Sequence, residues 1–312
     1  LEANLRADGS SRFASGNRWG YFPSFSAGWR LSEEGFMKGT RDYLDNLKLR
    51  VSWGKLGNSS ISEYLYQSTY DLAYYSLNNT INNGLAASSI ANSSLKWETT
   101  RVENIGLDAT ALQSRLDFTL DVYNKKTTGI LYQPAIYLTV GTKTAPYKNI
   151  AEVTNKGVEF TIGWKDKIKD FTYAVSGNIT YNHNEVTKYK GALKQGWVTN
   201  DDGTKTYQSN LGDVSTGGTT RVIEGKIINE YYLLTPYKGD GTYSNNGTLN
   251  INGGPKDGMI RTPDDMNWLN SMIAAGYKFM PNQAVGKNKI WYGDYIYADK
   301  NGDGIYGNSY DY

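Results

Sequence analysis

Leu47-Lys48-Leu49-Arg50-Val51-Ser52-Trp53-Gly54 decides the fold. Large apolar residues alternate without error with polar or small ones, which is the period of a strand whose two faces meet different surroundings. The same pattern recurs in Leu116-Asp117-Phe118-Thr119-Leu120-Asp121-Val122-Tyr123 and in Gly157-Val158-Glu159-Phe160-Thr161-Ile162-Gly163-Trp164. Phe171-Thr172-Tyr173-Ala174-Val175-Ser176-Gly177-Asn178-Ile179-Thr180-Tyr181 extends it to eleven residues. Antiparallel sheets produce such alternation, whereas parallel sheets buried on both faces do not.

Strand length sharpens this. The segments at about 20–31, 45–54, 99–110, 115–126, 150–163 and 170–182 reach the ~9–11 residues that a tilted strand needs to cross a bilayer. Soluble strands are nearer five or six. Ala111-Leu112-Gln113-Ser114 and Lys165-Asp166-Lys167-Ile168-Lys169 are short links. The stretches at about 55–98, 183–220 and 237–288 are long and polar, and 127–149 is a further long connection. Following the chain up and down, the long connections fall at one end of the sheet and the short ones at the other, as in bacterial outer-membrane barrels. The link 32–44 sits at the short end despite its length and reads as one or two helical turns. Pro263-Asp264-Asp265-Met266-Asn267-Trp268-Leu269-Asn270-Ser271-Met272-Ile273 reads as a helix, with Pro and acidic residues in its first turn.

Composition narrows the chemistry. The 312 residues carry 33 Lys and Arg against 31 Asp and Glu, a balance that calls for no nucleic acid. Cysteine is absent and His183 is the single histidine, so disulfides, thiolate metal sites and multi-histidine sites are excluded. No apolar run approaches a membrane helix. Leu1-Glu2-Ala3-Asn4-Leu5 has no signal-peptide character, so the chain is expected to begin after processing or inside something larger. A soluble β-sandwich or propeller also alternates, but strand length and sorted connections favour the membrane barrel.

Several motifs then resemble the barrel of the SusC/RagA family, TonB-dependent outer-membrane transporters of Bacteroidetes. They are Arg6-Ala7-Asp8-Gly9-Ser10-Ser11-Arg12-Phe13 with Gly16-Asn17-Arg18-Trp19-Gly20-Tyr21-Phe22-Pro23-Ser24 and Ala27-Gly28-Trp29-Arg30; Leu44 through Gly54 with Gly57-Asn58; and Asn92-Ser93-Ser94-Leu95-Lys96-Trp97-Glu98 with Asn104-Ile105-Gly106-Leu107-Asp108. Asp121 through Leu131, Asn155-Lys156-Gly157-Val158-Glu159 and Gly293 through Gly304 continue the match in order over nearly the whole chain. The resemblance implies an all-β, antiparallel transmembrane barrel with long extracellular loops. Residues 1–312 would form part of one barrel domain, a fragment of a plugged barrel of roughly 22 strands. The plug, the TonB-binding segment and the terminal strands lie outside it. It also implies outer-membrane localisation, no enzymatic activity, and TonB-energised import of a nutrient, most often an oligosaccharide, under a surface lipoprotein of the SusD type. Uptake of peptides is the alternative within the family. A passive porin, a surface adhesin or a soluble carbohydrate-binding protein are the alternatives outside it.

Two sets of candidate site residues follow. Asp299, Asn301 and Asp303 stand at the first, third and fifth positions of a calcium-type loop with Gly304 at the sixth; Ile305 would add its carbonyl and Asp311 a further carboxylate. Glutamate is missing from the twelfth position, where Tyr310 stands, so this is not an EF-hand. A structural calcium or magnesium ion is one reading and a tight turn the other. Trp197, Trp268, Tyr231 and Tyr232 lie in or beside long connections and could pack against sugar faces, although most of the 26 tyrosines suit an interfacial girdle. Trp29, Trp53 and Trp164 fall near strand ends and read as girdle residues. The pairs Asp264-Asp265 and Asp201-Asp202 read as solvated loop charge, and the Gly-Gly pairs make no phosphate loop.

Overall fold

The computed structural model describes residues 1–133, 146–189, 191–211, 220–280 and 290–312. Two compact units appear: residues 1–191 with 223–228, and residues 192–222 with 229–312.

The first unit is a seven-stranded antiparallel sheet of β1 (Glu2–Gly9), β2 (Trp19–Arg30), β3 (Leu44–Asn58), β6 (Glu98–Ala111), β7 (Leu116–Tyr132), β8 (Lys148–Ile168) and β9 (Phe171–Lys188), neighbours in that order. The hairpin β4 (Thr69–Leu77) and β5 (Thr80–Ser89) stands apart from it in the β3–β6 connection. Every strand of the big sheet pairs with its neighbour in chain order apart from that insertion, so the sheet is a meander.

The strands differ from the sequence reading in four ways. β1 was not expected; of its apolar positions Ala3, Leu5 and Ala7, the two alanines are too small to mark a face beside the single leucine. β7, β8 and β9 continue to 17, 21 and 18 residues. The link 165–169 shrinks to a turn at Lys169 and Asp170, because Lys165 through Ile168 keep pairing down to Ile168↔Phe171. The stretch 55–98 is not all loop: residues to Asn58 extend β3, and Asn78 and Asn79, both at positive φ, turn the β4–β5 hairpin as a two-residue connection requires. The link 32–44 forms two short 3-10 segments, Leu31–Glu33 and Gly35–Thr40, matching the expected helical turns.

Register fixes the faces. Ala27, Val51, Ile105, Val122, Val158 and Tyr181 stand side by side in one row across six strands. The next row is Trp29, Leu49, Leu107, Leu120, Phe160 and Ile179. One face of the sheet is thus apolar, and many of its side chains are exposed. On β2 the apolar-face residues run from Trp19 to Trp29; on β9 they run from Phe171 to Tyr181. By register Tyr181 is level with Ala27, eight residues below Trp19, and Trp29 is level with Ile179, eight residues above Phe171. The band therefore slips by the same amount at both edges. At ~3.4 Å per residue and ~4.8 Å per strand step, that slip over five steps is a tilt of about 48°. Ten residues tilted so project to a band about 23 Å high, close to the ~25 Å apolar belt of outer-membrane barrels.

At the end of the sheet carrying the long connections, the motifs quoted above meet. Phe13, Ile61 and Leu95 form a buried cluster against Trp97, Leu65, Leu131 and Tyr147. Trp97 donates its indole N–H to the Arg18 carbonyl (3.1 Å), and Asn92 donates to the Tyr147 carbonyl (2.6 Å). Asn149 clamps the Lys96 backbone from both sides and also donates to the Gly129 carbonyl.

The second unit holds the hairpin β10 (Gln195–Thr199) and β11 (Lys205–Ser209), the short pairs β12 (Thr220–Arg221) with β13 (Glu230–Tyr231) and β14 (Ser244–Asn245) with β15 (Thr248–Leu249), helix α1 (Pro263–Ala274), and the parallel pair β16 (Lys278–Phe279) with β17 (Ile305–Tyr306). The described part of 237–288, expected as loop, packs a core of its own with Ile290 and Ile296: Tyr237, Ile260, Trp268, Leu269, Met272 and Phe279. α1 matches the expected helix. Thr262 caps it, its hydroxyl accepting from the Asp265 N–H while the Asp265 carboxylate reaches back to the Thr262 N–H.

Candidate functional site: a polar wall and a packed carboxylate loop

The polar face of the sheet is built from the residues between the apolar ones. Arg50 is its centre. Its guanidinium donates two bonds to Asp108 (2.7 and 2.8 Å) and one to Asp121 (2.9 Å). The register places Gly106 directly opposite Arg50, and a methyl group there would lie 2.6 Å from the guanidinium carbon and 2.5 Å from an Asp121 oxygen. The glycine therefore makes room for the side chain to lie flat between two strands. Gly157 does the same for Tyr123, whose ring crosses it so that the hydroxyl donates to Asn182 (3.2 Å). Around these anchors stand Thr119, Thr161, Asn178 and Thr180, giving a wall of hydroxyls, amides and fixed charges. Such a surface can hydrogen-bond a polar solute along its length.

The wall was not singled out from the sequence. Arg50 lies 58 residues from Asp108 and 71 from Asp121. The usable signal was there: all three occupy the polar phase of alternating segments, so adjacent pairing would bring them together.

The structure places the four aromatic candidates differently from one another. Trp268 is 2 % exposed, with its indole donating to the Asn250 carbonyl (2.8 Å) and its ring against Tyr237 and Phe279. The expectation that it is an exposed sugar platform is corrected: α1 turns it inward to the core. Trp197 is 46 % exposed; it packs edge-on against Tyr207, which leads on to Tyr310. Tyr231 is 72 % exposed on β13, and Tyr232 is half-buried.

The Asp299 loop is brought to Trp197, whose indole N–H donates to the Asn301 carbonyl (3.1 Å). Within the loop the carboxylates face the backbone. Asp299 accepts from the N–H groups of Gly302 (2.6 Å), Asp303 (3.3 Å) and Gly304 (2.9 Å). Asp303 accepts from the Ile305 N–H and from the side-chain amides of Asn301 and Asn308. Asp311 is fully buried and accepts from Lys300, Gly307 and Asn308 N–H groups. Burial pushes its carboxyl above the usual range, against the pull of those N–H groups. Among the described residues no three His, Cys, Asp or Glu side chains are grouped to hold a metal ion. As placed, the oxygens of Asp299, Asn301, Asp303 and Asp311 serve the loop's own donors, and Ile305 joins β17 beside β16. This donor set, turned to N–H groups and carrying amide N–H within it, does not fit a cation without rearrangement.

Of the acidic pairs, Asp201 and Asp202 are exposed at a turn, as expected. Asp265 is not solvated loop charge but the buried cap of α1, also accepting from Tyr243 (2.8 Å). Burial would push its carboxyl up; the N–H groups of Arg261 and Thr262 and the hydroxyls outweigh this and hold it below the usual range.

A tilted, two-faced antiparallel meander with a charged inner wall and sorted connections is the geometry of a barrel segment. Residues 1–282 match the family model described as TonB dependent receptor-like, beta-barrel. The chain belongs to that family, in its SusC/RagA branch. It is 36 % identical over 239 residues to the TonB-dependent receptor SusC of Bacteroides thetaiotaomicron, covering 73 % of this chain and 23 % of that protein. It is 31 % identical over 309 residues to the TonB-dependent receptor P39 of Formosa agariphila, covering 97 % of this chain and 27 % of that one. Among solved structures it resembles the RagAB peptide importer in its closed-closed state, with TM-score 0.61 and 25 % identity over 80 % of this chain and 26 % of that chain. The chain thus spans about a quarter of the length of these relatives. Proteins of this family are outer-membrane transporters and not enzymes. The apolar face of the SusC/RagA-type sheet is its lipid face, and the Arg50 face its inner wall.

Proposed function

We propose that this barrel segment forms part of the wall of an outer-membrane importer, energised through TonB, that takes up oligosaccharides beneath a surface lipoprotein of the SusD type. The observation that carries the reading is the inner wall around Arg50 and Tyr123. Its hydroxyl and amide groups, braced by fixed ion pairs, suit a hydroxyl-rich solute that must bind weakly enough to move on. The oligosaccharide is the cargo that the family resemblance of the sequence motifs implies most often. Peptide cargo is the second reading, favoured by the likeness to the RagAB peptide importer. The wall makes and breaks no covalent bond; it binds, lines and passes.

The test is isolation of the full-length protein from outer membranes in mild detergent, with mass spectrometry of what accompanies it. A stoichiometric surface lipoprotein is the expected result. A panel of glycans and peptides measured by calorimetry on that complex then separates the two cargoes. A lone protein that conducts ions passively would overturn import in favour of a porin.

A further inference from the structure

The lipid face carries a feature that the transport reading does not use. Val51, Ile105, Val122 and Val158 lie in one row across β3, β6, β7 and β8. With Trp53 on β3 and Tyr181 on β9 among the lining residues, this row forms the floor of an apolar furrow of about 790 Å³. The row next toward the long connections is Trp53, Glu103, Asn124, Lys156 and His183. On β6 to β9 these are the first polar residues above the apolar band.

The cations of this border are not equivalent. Arg101 is paired with Glu103 (3.0 Å) and Lys126 with Glu152 (2.9 Å). Asn124 donates to the same Glu103 (2.9 Å). Lys156 is exposed, enters no ion pair among the described residues, and stands directly opposite the exposed His183. Two nitrogen donors thus project from the border of a lipid-facing surface without an acid between them. The slip of the band settles which end is higher. Because the rows climb from β2 toward β9, the Lys156–His183 end is the outer end and the furrow descends from it toward Val51. A lysine ammonium with a neighbouring ring nitrogen above, and an aliphatic channel running down beneath them, match one kind of molecule: a phosphate with acyl chains attached.

We propose that this furrow is a retained-lipid site, seating an acyl chain of a phosphorylated outer-leaflet lipid whose phosphate lies on Lys156 and His183. Charge complementarity selects an anionic headgroup over a zwitterionic one, and the furrow selects an acylated phosphate over a free one. Phosphate binding by Lys156 is a charge-assisted hydrogen bond strengthened by the low dielectric at the band's edge. The site is independent of cargo, so its failure and that of the import reading are distinguishable.

The experiment uses full-length protein extracted from outer membranes in mild detergent. Native mass spectrometry counts phosphorylated acyl lipid per protein through repeated detergent exchange. One lipid is expected to persist. Lys156→Glu with His183→Gln lowers occupancy about tenfold. Val122→Trp fills the furrow and does the same with both donors intact. Lys126→Gln, whose ammonium already belongs to Glu152, leaves occupancy unchanged. Heat-shifted migration on gels shows that each variant barrel is folded. Equal lipid counts in all folded variants, or loss of all lipid from the unaltered protein, would mean only annular lipid and overturn the site. Displacement by excess inorganic phosphate would overturn the furrow's part in it.

Discussion

The two compact units hold themselves together by opposite means. In residues 1–191 the large side chains of one face are exposed, and the ladders and the wall around Arg50 do the internal work. In residues 229–312 the large side chains turn inward on Trp268, and the strands are two residues long. The first is a surface waiting for an apolar solvent; the second carries its own. The same period-two alternation that makes the sheet legible also makes it incomplete in water, whereas the small core needs nothing but its helix and turns.

Trp268→Ala is the most direct way to break that contrast. It empties the centre of the small core and removes the bond to Asn250, at a cost of about 3–5 kcal/mol. Limited proteolysis of the full-length protein should then cut within 229–312 while the barrel keeps its heat-shifted gel migration. Loss of both together would show that the sheet depends on that core.

Arg50→Met attacks the other side. It leaves Asp108 and Asp121 facing each other across Gly106. With the guanidinium about a third exposed, the loss should be about 2 kcal/mol, discounted from that of a fully buried pair. The measurement is the unfolding midpoint in denaturant with detergent present. Asp108→Asn with Asp121→Asn in the same background should restore part of it, because the stranded charges are gone.

Acid separates the units more gently. The Asp265 carboxyl is held below its usual value, so its contribution is fully present above its unfolded value near ~3.9 and fades as pH falls through its folded value. Protection of the 229–312 amides in hydrogen exchange should therefore drop below about pH 4. Asp265→Asn should lose about 1 kcal/mol at neutral pH, as a weakened cap does, and flatten that acid response. If the acid response persists unchanged, the cap is not its source.

The smallest expected effect is that of chelation. The carboxylates of the Asp299 loop already accept backbone N–H groups, so EDTA should leave thermal unfolding of the second unit where it was. A calcium-dependent rise would mean that Asp299, Asn301, Asp303, the Ile305 carbonyl and Asp311 rearrange into the ligand set the spacing suggests.

The ease of reading follows from the same contrast. Val51 or Phe160 announces its face locally, because the neighbour two positions away obeys the same rule. β1 escaped because Ala3 and Ala7 are too small to mark a face. The upper ends of β7 and β9 escaped because Asn124 and Lys126 on the one, and His183 and Glu185 on the other, interrupt the apolar phase where the band ends. Trp268, Tyr237 and Ile296 stand far apart in the chain with no shared period to link them, and only the fold shows that they share a core. Asp265 looked like loop charge because a cap is defined by which N–H groups it meets. The Asp299 loop was legible as a tight structure, while its spacing alone does not say whether nitrogen or a cation meets the carboxylates.

The slant of the strands has a mechanical side. At roughly 48° to the normal, a pull along the normal resolves about equally into sliding each strand past its neighbour and peeling it away. Sliding loads many hydrogen bonds at once, and between β8 and β9 the paired run extends from Glu152 to Ile168. Upright strands would share such a pull as pure shear, and flat-lying ones would unzip bond by bond. The slanted wall lies between, stiff against an axial tug yet able to twist slightly as it bears it.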